Sequence, residues 1–377
     1  MMKLKRAAAL LLCAVMLVSF AACRTENENA VSYTDSDGNT YGVRSALYIL
    51  YAMDAMSEYQ TEYAKQTTTT TAAETATDTT TTTTVNYNET KLENKSYNEW
   101  VQDKALESCA EYAYVESEFK KASLSFTDDQ TTAVTNTVDQ YWSSNKNLYE
   151  QNGIAKTTLK LYVENKQKRE ALFNHYYGDG GSKEVKTDAI KKYLKDNCLL
   201  VQFISYSLYS YDSSGQTKAV SDTDKTEYKS LLESYATRLN AGGDYAAIRA
   251  EYFNKINQKD TVSVEGSKAK YPYAMVMGDA DSSINPFEKF DEIKALEVGK
   301  SKFVETSSMY AVMQRVDLNA DLDYCAEQNA TNVRHELKDD EYDSFLSENA
   351  SKLTADKNSG ALNTYRASKL KLKADEK

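Results

Sequence analysis

The apolar period of this chain switches repeatedly between helical and alternating, and those changes constrain its fold more than any other feature. From Val43 apolar residues recur every three to four positions, the spacing of one helix face. Val101, Ala105, Cys109, Tyr112, Val115 and Phe119 form the clearest run. At Leu199 the period drops to two. Ile204, Tyr206 and Leu208 alternate with Ser205 and Ser207, as in a half-buried strand. Helical spacing returns with Tyr228, Leu231, Leu232, Tyr235 and Leu239, and Tyr310 to Val316 alternates again. From Asp323 the chain is helical once more, with Val333, Leu337, Phe345 and Leu346 on its apolar side. The predicted order is helices, a small β-α-α-α-β unit, then helices. With 13 Gly and 2 Pro in 377 residues, breakers are scarce and long helices are expected. The fold class is α+β and mostly helical, with a small α/β domain inserted into a discontinuous helical domain.

Local signals divide this plan. Asp37-Gly38 marks a turn, so Val31 to Tyr41 is expected to form a short hairpin. Ala46 to Met56 is strongly apolar, but it falls short of the ~20 residues of a membrane span and contains Asp54. It reads as a core helix. Thr67 to Thr84 is almost all Thr and has no apolar face, so a disordered insertion between about Gln66 and Tyr97 is expected. Thr127-Asp128-Asp129, Thr187-Asp188 and Ser221-Asp222 read as helix caps, and Asn152-Gly153 and Gly242-Gly243 as stops. Phe287 to Val298 is expected to be helical, and the charged segment Lys369 to Lys377 to fray.

The first residues carry an address. Lys3, Lys5 and Arg6 precede an apolar run from Ala7 to Val18, followed by Ser19-Phe20-Ala21-Ala22 and Cys23, the layout of a secretory signal peptide. The small residues before Cys23 resemble the bacterial lipobox, in which the cysteine thiol is acylated and the signal is cut before it. Phe20 departs from the aliphatic residue usual there. Losing the three basic residues takes the net charge from −11 to −14. That argues against nucleic acid as a partner and against broad electrostatic adhesion to anionic lipid. An acyl chain on Cys23 is then expected to hold the protein on the extracytoplasmic face of the cell membrane.

Little else in the chain suggests chemistry. Cys109, Cys198 and Cys325 are odd in number and widely spaced, and read as buried small hydrophobes. His175 and His335 have no second ligand at metal spacing. Asp339-Asp340-Glu341 reads as a solvated helix face. No nucleotide fingerprint or nucleophile elbow occurs, and no cofactor or metal is expected. The 29 tyrosines suit half-buried and contact surfaces.

Two stretches resemble the PrsA/SurA class of extracytoplasmic foldases. The first runs from Tyr149-Glu150-Gln151-Asn152-Gly153-Ile154 through Leu159-Lys160-Leu161-Tyr162-Val163-Glu164 to Thr187-Asp188-Ala189-Ile190-Lys191-Lys192-Tyr193. It is similar to the family's chaperone-domain pattern. The second, Leu199 to Val316, is similar in layout to a parvulin-type prolyl isomerase, with Gly242-Gly243-Asp244-Tyr245 and Leu296-Glu297-Val298-Gly299-Lys300 as matching pieces. The resemblance implies a signal peptide at 1–22, a tether at 23–40, and a helical SurA/PrsA-like domain at 41–196 carrying the insertion at 67–97. It further implies a parvulin-like domain at 197–318 and C-terminal helices at 319–377 packing back on the helical domain. It also implies a His on the first strand facing a His on the last. Here those positions fall at Phe203 or Ile204 and at Ala311. Tyr271-Pro272-Tyr273-Ala274-Met275 replaces a Gly-rich stretch, and Phe253-Asn254-Lys255 stands where a polar residue is usual. The expected function is a lipid-anchored chaperone or foldase-like protein that binds unfolded or partly folded exported polypeptides without isomerase catalysis. The competing readings are an active prolyl isomerase and a surface lipoprotein acting as adhesin or spacer.

Overall fold

The N-terminal hairpin comes first in a computed structural model that describes residues 25–71, 85–211, 216–262 and 265–374, with backbone only for 67–71. Residues 1–22, Cys23 and the Thr-rich stretch 72–84 lie outside the described residues. The chain divides into two units, Met1–His175 with Asp340–Lys377, and Tyr176–Asp339.

In the first unit, β1 (Asn29–Thr34) and β2 (Thr40–Arg44) pair antiparallel around the expected turn. Gly38 takes φ +81°, which a side chain tolerates poorly. The described part of the expected tether 23–40 begins at Thr25 and carries this hairpin. α1 (Ser45–Thr71) buries Leu47, Tyr48, Ile49, Ala52 and Met56, so its first half is apolar on nearly every side. Among the described residues no helix is long and apolar enough to cross a membrane.

The flank of the Thr-rich tract is structured, contrary to the boundary expected near Tyr97. β3 (Lys91–Leu92) and β4 (Lys95–Ser96) form a tight hairpin. Its turn residues Glu93 and Asn94 both take positive φ, as a type I′ turn requires. Leu92 enters the core, and Tyr59 shares a 2.8 Å hydrogen bond with Thr90. Those contacts order a segment whose composition alone shows no strand.

α2 (Tyr97–Lys121) opens with a Ser96–Glu99 capping box and buries Trp100, Val101, Ala105, Cys109 and Tyr112. Each large apolar side chain so buried contributes roughly 1.5–3 kcal/mol. α3 (Asp128–Gln151) opens with a second box, Thr127–Gln130. It stops at Asn152-Gly153, where Gly153 has φ +73°. α4 (Lys156–Tyr177) follows.

The second unit opens with α5 (Thr187–Asn197), whose N-cap is Lys186 with no side-chain cap bond. Thr187 is therefore its first helical residue rather than its cap. β5 (Leu199–Ser207) is followed by an exposed hairpin of β6 (Tyr209–Tyr211) and β7 (Thr217–Ala219). α6 (Asp222–Asn240) is capped by Ser221 and stopped by Gly242, and α7 (Tyr245–Lys255) is capped by Asp244. β8 (Ala274–Met277), α8 (Phe290–Lys294), β9 (Ser301–Glu305) and β10 (Met309–Val316) complete it. The antiparallel sheet runs β8-β5-β10-β9. α8 is shorter than the predicted 287–298. Arg315 Nη1 donates to the carbonyls of Lys294 and Leu296, both at 2.6 Å, and so closes the turn that the helix would have continued.

Apolar residues cover both sheet faces. Ile204, Tyr310 and Val312 pack with Leu232, Tyr235, Leu239 and Ile248 of α6 and α7. Val201, Ala311 and Met313 pack with Phe287, Phe290 and Ile293. β8 and β9 join the two expected strands; both are short, and neither shows a clean alternation.

α9 (Leu322–Gln328) and α10 (Ala330–Ala350) lead out, and 340–377 belongs to the first unit. There Tyr342 stands edge-on to Phe173, centroids 5.4 Å apart, and its hydroxyl donates to the Arg169 carbonyl at 2.9 Å. β11 (Thr354–Lys357) adds to β1, a strand that its four exposed residues conceal from a periodicity analysis. α11 (Ser359–Thr364) is capped by Asn358. The final described residues do not fray: Leu370 and Leu372 pack on the first unit's core. Cys109, Cys198 and Cys325 are all free and buried.

Candidate binding cleft

β5 is half covered on one edge. β8 pairs only with Leu199 to Gln202, while β10 pairs along the other side as far as Ser207. Beyond Gln202 the edge facing β8 would be left with bare carbonyls, which cost free energy when buried without partners. α7 supplies those partners. Tyr245 Oη donates to the Phe203 carbonyl at 2.8 Å, and Arg249 Nη1 to the same oxygen at 3.3 Å. Tyr252 Oη donates to the Ser205 carbonyl at 2.6 Å. Residues 245, 249 and 252 lie four and three apart, on one helix face. The helix is aimed by Gly243, where a Cβ would lie 2.8 Å from the Arg238 carbonyl.

Beside this edge opens a cleft of about 720 Å³. Its aromatic walls include Tyr206, Tyr228, Tyr252, Phe253 and Tyr273. Tyr206 stacks on Tyr228 with centroids 3.8 Å apart and planes 12° from parallel. Among the described lining residues Arg249 is the only one whose side chain carries a charge at neutral pH. Its Nε and Nη2 donate to Asp260 at 2.6 and 2.8 Å, a two-pronged pair. Its guanidinium also lies 4.9 Å from the Phe253 ring and 5.2 Å from the Tyr273 ring. Burial disfavours the charge of Arg249, but the Asp260 carboxylate and the Tyr245 hydroxyl together outweigh that and hold the guanidinium protonated. The hydrogen bond from Arg249 in turn keeps Asp260 below its ordinary range. Burial pushes the phenol of Tyr252 well above its usual value. It pushes that of Tyr245 up to about 12, against the opposing effect of Arg249.

Phe203 lines this cleft, whereas Ala311 does not. Ala311 pairs with Ser205 and Met313 with Phe203, so Phe203 and Ala311 share a sheet face at diagonal positions. Ile204 belongs to the opposite face and pairs with Val312. Ala311 is fully enclosed beside Phe287, Phe290 and Ile293. Cys23 lies outside the described residues. Among the described residues no group of His, Cys, Asp and Glu is arranged to hold a metal. His335 Nδ1 lies 2.7 Å from Asp339 Oδ1 within one helix, away from the cleft lining.

Tyr245, Arg249 and Tyr252 emerged only with the structure. The signal that could have found them is the spacing of Tyr245, Arg249 and Tyr252 along one helix face. Chemically, the described lining offers aromatic faces, a neutralised cation and hydroxyls.

No protein-family model matches the chain, and no curated protein matches it. Among solved structures it is similar to the foldase protein PrsA of Streptococcus pneumoniae, at 13% identity and a TM-score of 0.37, covering 69% of this chain and 87% of that one. PrsA of Bacillus subtilis is similar at 12% identity and a TM-score of 0.33, covering 67% and 84%. Foldase protein PrsA of Lactococcus lactis is similar at 13% and 0.34, covering 74% and 90%. No residue role follows from similarity of that degree.

Proposed function

We propose that this protein is an extracytoplasmic, lipid-anchored chaperone that holds unfolded exported polypeptide and does not catalyse prolyl isomerisation. The observation that carries the reading is the cleft beside β5: aromatic, and without a histidine, carboxylic acid or cysteine among its described lining residues. Prolyl isomerisation crosses a barrier of ~18–20 kcal/mol set by amide resonance. Lowering it calls for polar groups placed on the amide. Phe203 and Ala311 supply none, and Arg249 is committed to Asp260. Aromatic faces instead suit proline rings and apolar side chains, which gain from burial whatever their order in the client. Cys23 acylated after signal cleavage would place this surface where exported chains emerge.

Two assays test the reading together. At several-fold molar excess the protein is expected to suppress aggregation of a denatured client, and Tyr228→Ala with Tyr273→Ala to weaken that at least threefold. In a protease-coupled assay on proline-limited peptides the rate is expected to equal the uncatalysed control. Absence of any holding effect would reject the chaperone reading. A catalysed rate would replace it with an active isomerase, and binding that favours folded proteins would replace it with an adhesin.

A further inference from the structure

One edge of the first unit's sheet stands open beside a groove. The sheet runs β11-β1-β2, so among the described residues β1 is the only strand beside β11. Asn358 N–H donates to the Ala30 carbonyl at 2.9 Å, and the next pair along is Val31 with Lys357. Bonded and non-bonded pairs alternate in an antiparallel ladder. Thr354 and Asp356 therefore turn their N–H and C=O groups towards β1, while Ala355 and Lys357 turn theirs outward. All four residues are exposed. Outward groups of this kind are a template for a further strand. A groove of about 420 Å³ lies against them, lined by Leu353, Ala355 and Lys357 and by Asp103, Glu107 and Glu111 of α2. α2 is fixed there by Tyr33 of β1, whose hydroxyl donates to the Leu106 carbonyl at 2.7 Å.

Asp103, Glu107 and Glu111 lie four apart, a step of about 6 Å along the helix axis. Alternate residues of a strand advance by roughly 6.8 Å, a similar stride. Among the described lining residues Lys357 is the only cation, against these three carboxylates. Their present partners lie at the surface: Lys95 at 2.7 Å, Lys104 at 3.2 Å and Arg169 at 3.3 Å. Pairs so exposed are weak and leave the carboxylates open to a further cation. Burial pushes the Glu111 carboxyl above its usual value; Arg169 opposes that, and Asp343 and Glu107 add to it. We propose that the free edge of β11 takes an extended polypeptide with lysine or arginine at alternate positions as a fourth strand. Its main chain bonds to Ala355 and Lys357, and its basic side chains lie over the acidic face of α2. A second copy of this chain, with its net charge of −11, would set like charge against like, which disfavours edge-to-edge self-pairing. This surface belongs to the first unit and stands whether or not the cleft of the second unit holds clients.

The test titrates the full chain with a fluorescein-labelled six-residue peptide of alternating lysine and valine. On saturation, residue-resolved hydrogen exchange is expected to slow at least tenfold at the amides of Ala355 and Lys357. At Thr354 and Asp356, already paired with β1, it is expected to change less than twofold. Ala355→Pro removes one outward donor and leaves the β1 ladder intact, since an edge strand accepts proline where its N–H faces solvent. It is expected to weaken the affinity measured by fluorescence anisotropy at least tenfold. Asp103→Asn with Glu107→Gln is expected to weaken it at least threefold and to flatten its salt dependence. A peptide of alternating glutamate and valine is expected to bind at least tenfold more weakly. Matched thermal melts check that each variant folds. Should Ala355→Pro not fold, the unaltered chain decides the matter with peptides N-methylated on all lysines or on all valines. Only one of the two sets turns its N–H groups to β11, so only one methylation is expected to abolish binding. Unchanged exchange at Ala355 and Lys357, undiminished affinity of a folded Ala355→Pro chain, or equal effects of the two methylations overturns the proposal. Loss of binding in the Tyr228→Ala, Tyr273→Ala variant reassigns the peptide to the cleft. Protection of the same two amides by raised protein concentration alone replaces the basic partner with a second copy.

Discussion

Arg249 lines an apolar cleft as a charge without becoming a reactive group. It is 9% exposed, and Asp260 with the Phe203 carbonyl takes up its donors. Removing one partner of such a pair costs more than removing both, because a buried ion is left behind. Asp260→Ala is therefore expected to lower unfolding free energy by ~2 kcal/mol in urea titrations. Adding Arg249→Met to that variant is expected to restore part of the loss. If the double variant proves less stable than Asp260→Ala, the guanidinium contributes more through its ring contacts and the Phe203 carbonyl than through its carboxylate. Neither Asp260 nor its distance from Arg249 was legible in the sequence, since the two lie eleven positions apart across the end of α7 and no period marks the pair.

At the scale of elements, the hairpin β1–β2 is tied to α2 through one carboxylate. Asp35 accepts from the N–H groups of Asp37 and Asn39 at 3.0 and 2.9 Å, and from the Ser117 hydroxyl of α2 at 2.9 Å. Burial pushes the Asp35 carboxyl up, but these hydrogen bonds outweigh it and hold it at about 2. An aspartate in the unfolded chain titrates near ~3.9. The folded state thus binds the proton less readily, and the stabilisation is complete above that value and lost as pH falls through about 2. Asp35→Asn is expected to melt below the parent at pH 7, with the two melting curves converging as pH falls from 4 towards 2. A constant gap across that range would show that the carboxylate's charge is not what ties the hairpin down. The elements legible in the sequence were those with a long period: α1, α2, α6, and the strands that contain Ile204 and Val312. Those missed were short, as in β3 and β4, or wholly exposed, as in β11. The last described turn was missed for another reason, because the hydrogen bond from Asn152 to the Lys371 carbonyl joins residues 219 positions apart.

On the proposed reading, this acidic chain as a whole must hold an unfolded client. The apolar and aromatic lining of the cleft is its main resource, and its protonation is fixed. Arg249 is held charged and Asp260 ionised, while the phenols of Tyr245 and Tyr252 are pushed upward by burial. Among the described lining residues no side chain is a histidine, a carboxylic acid or a cysteine. Suppression of client aggregation is therefore expected to stay level within twofold between pH 6 and 8, measured with a client whose own aggregation is constant over that range. A catalytic centre working by general acid and base would instead give a rising or bell-shaped profile. A client-holding profile with a midpoint near 6.5 would point away from the cleft and towards His175 or His335, the only two histidines in the sequence. Substituting each in turn would then locate the surface that binds. A level profile that is lost in the Tyr228→Ala, Tyr273→Ala variant would tie holding to aromatic burial, which is the property that distinguishes this cleft from an isomerase centre.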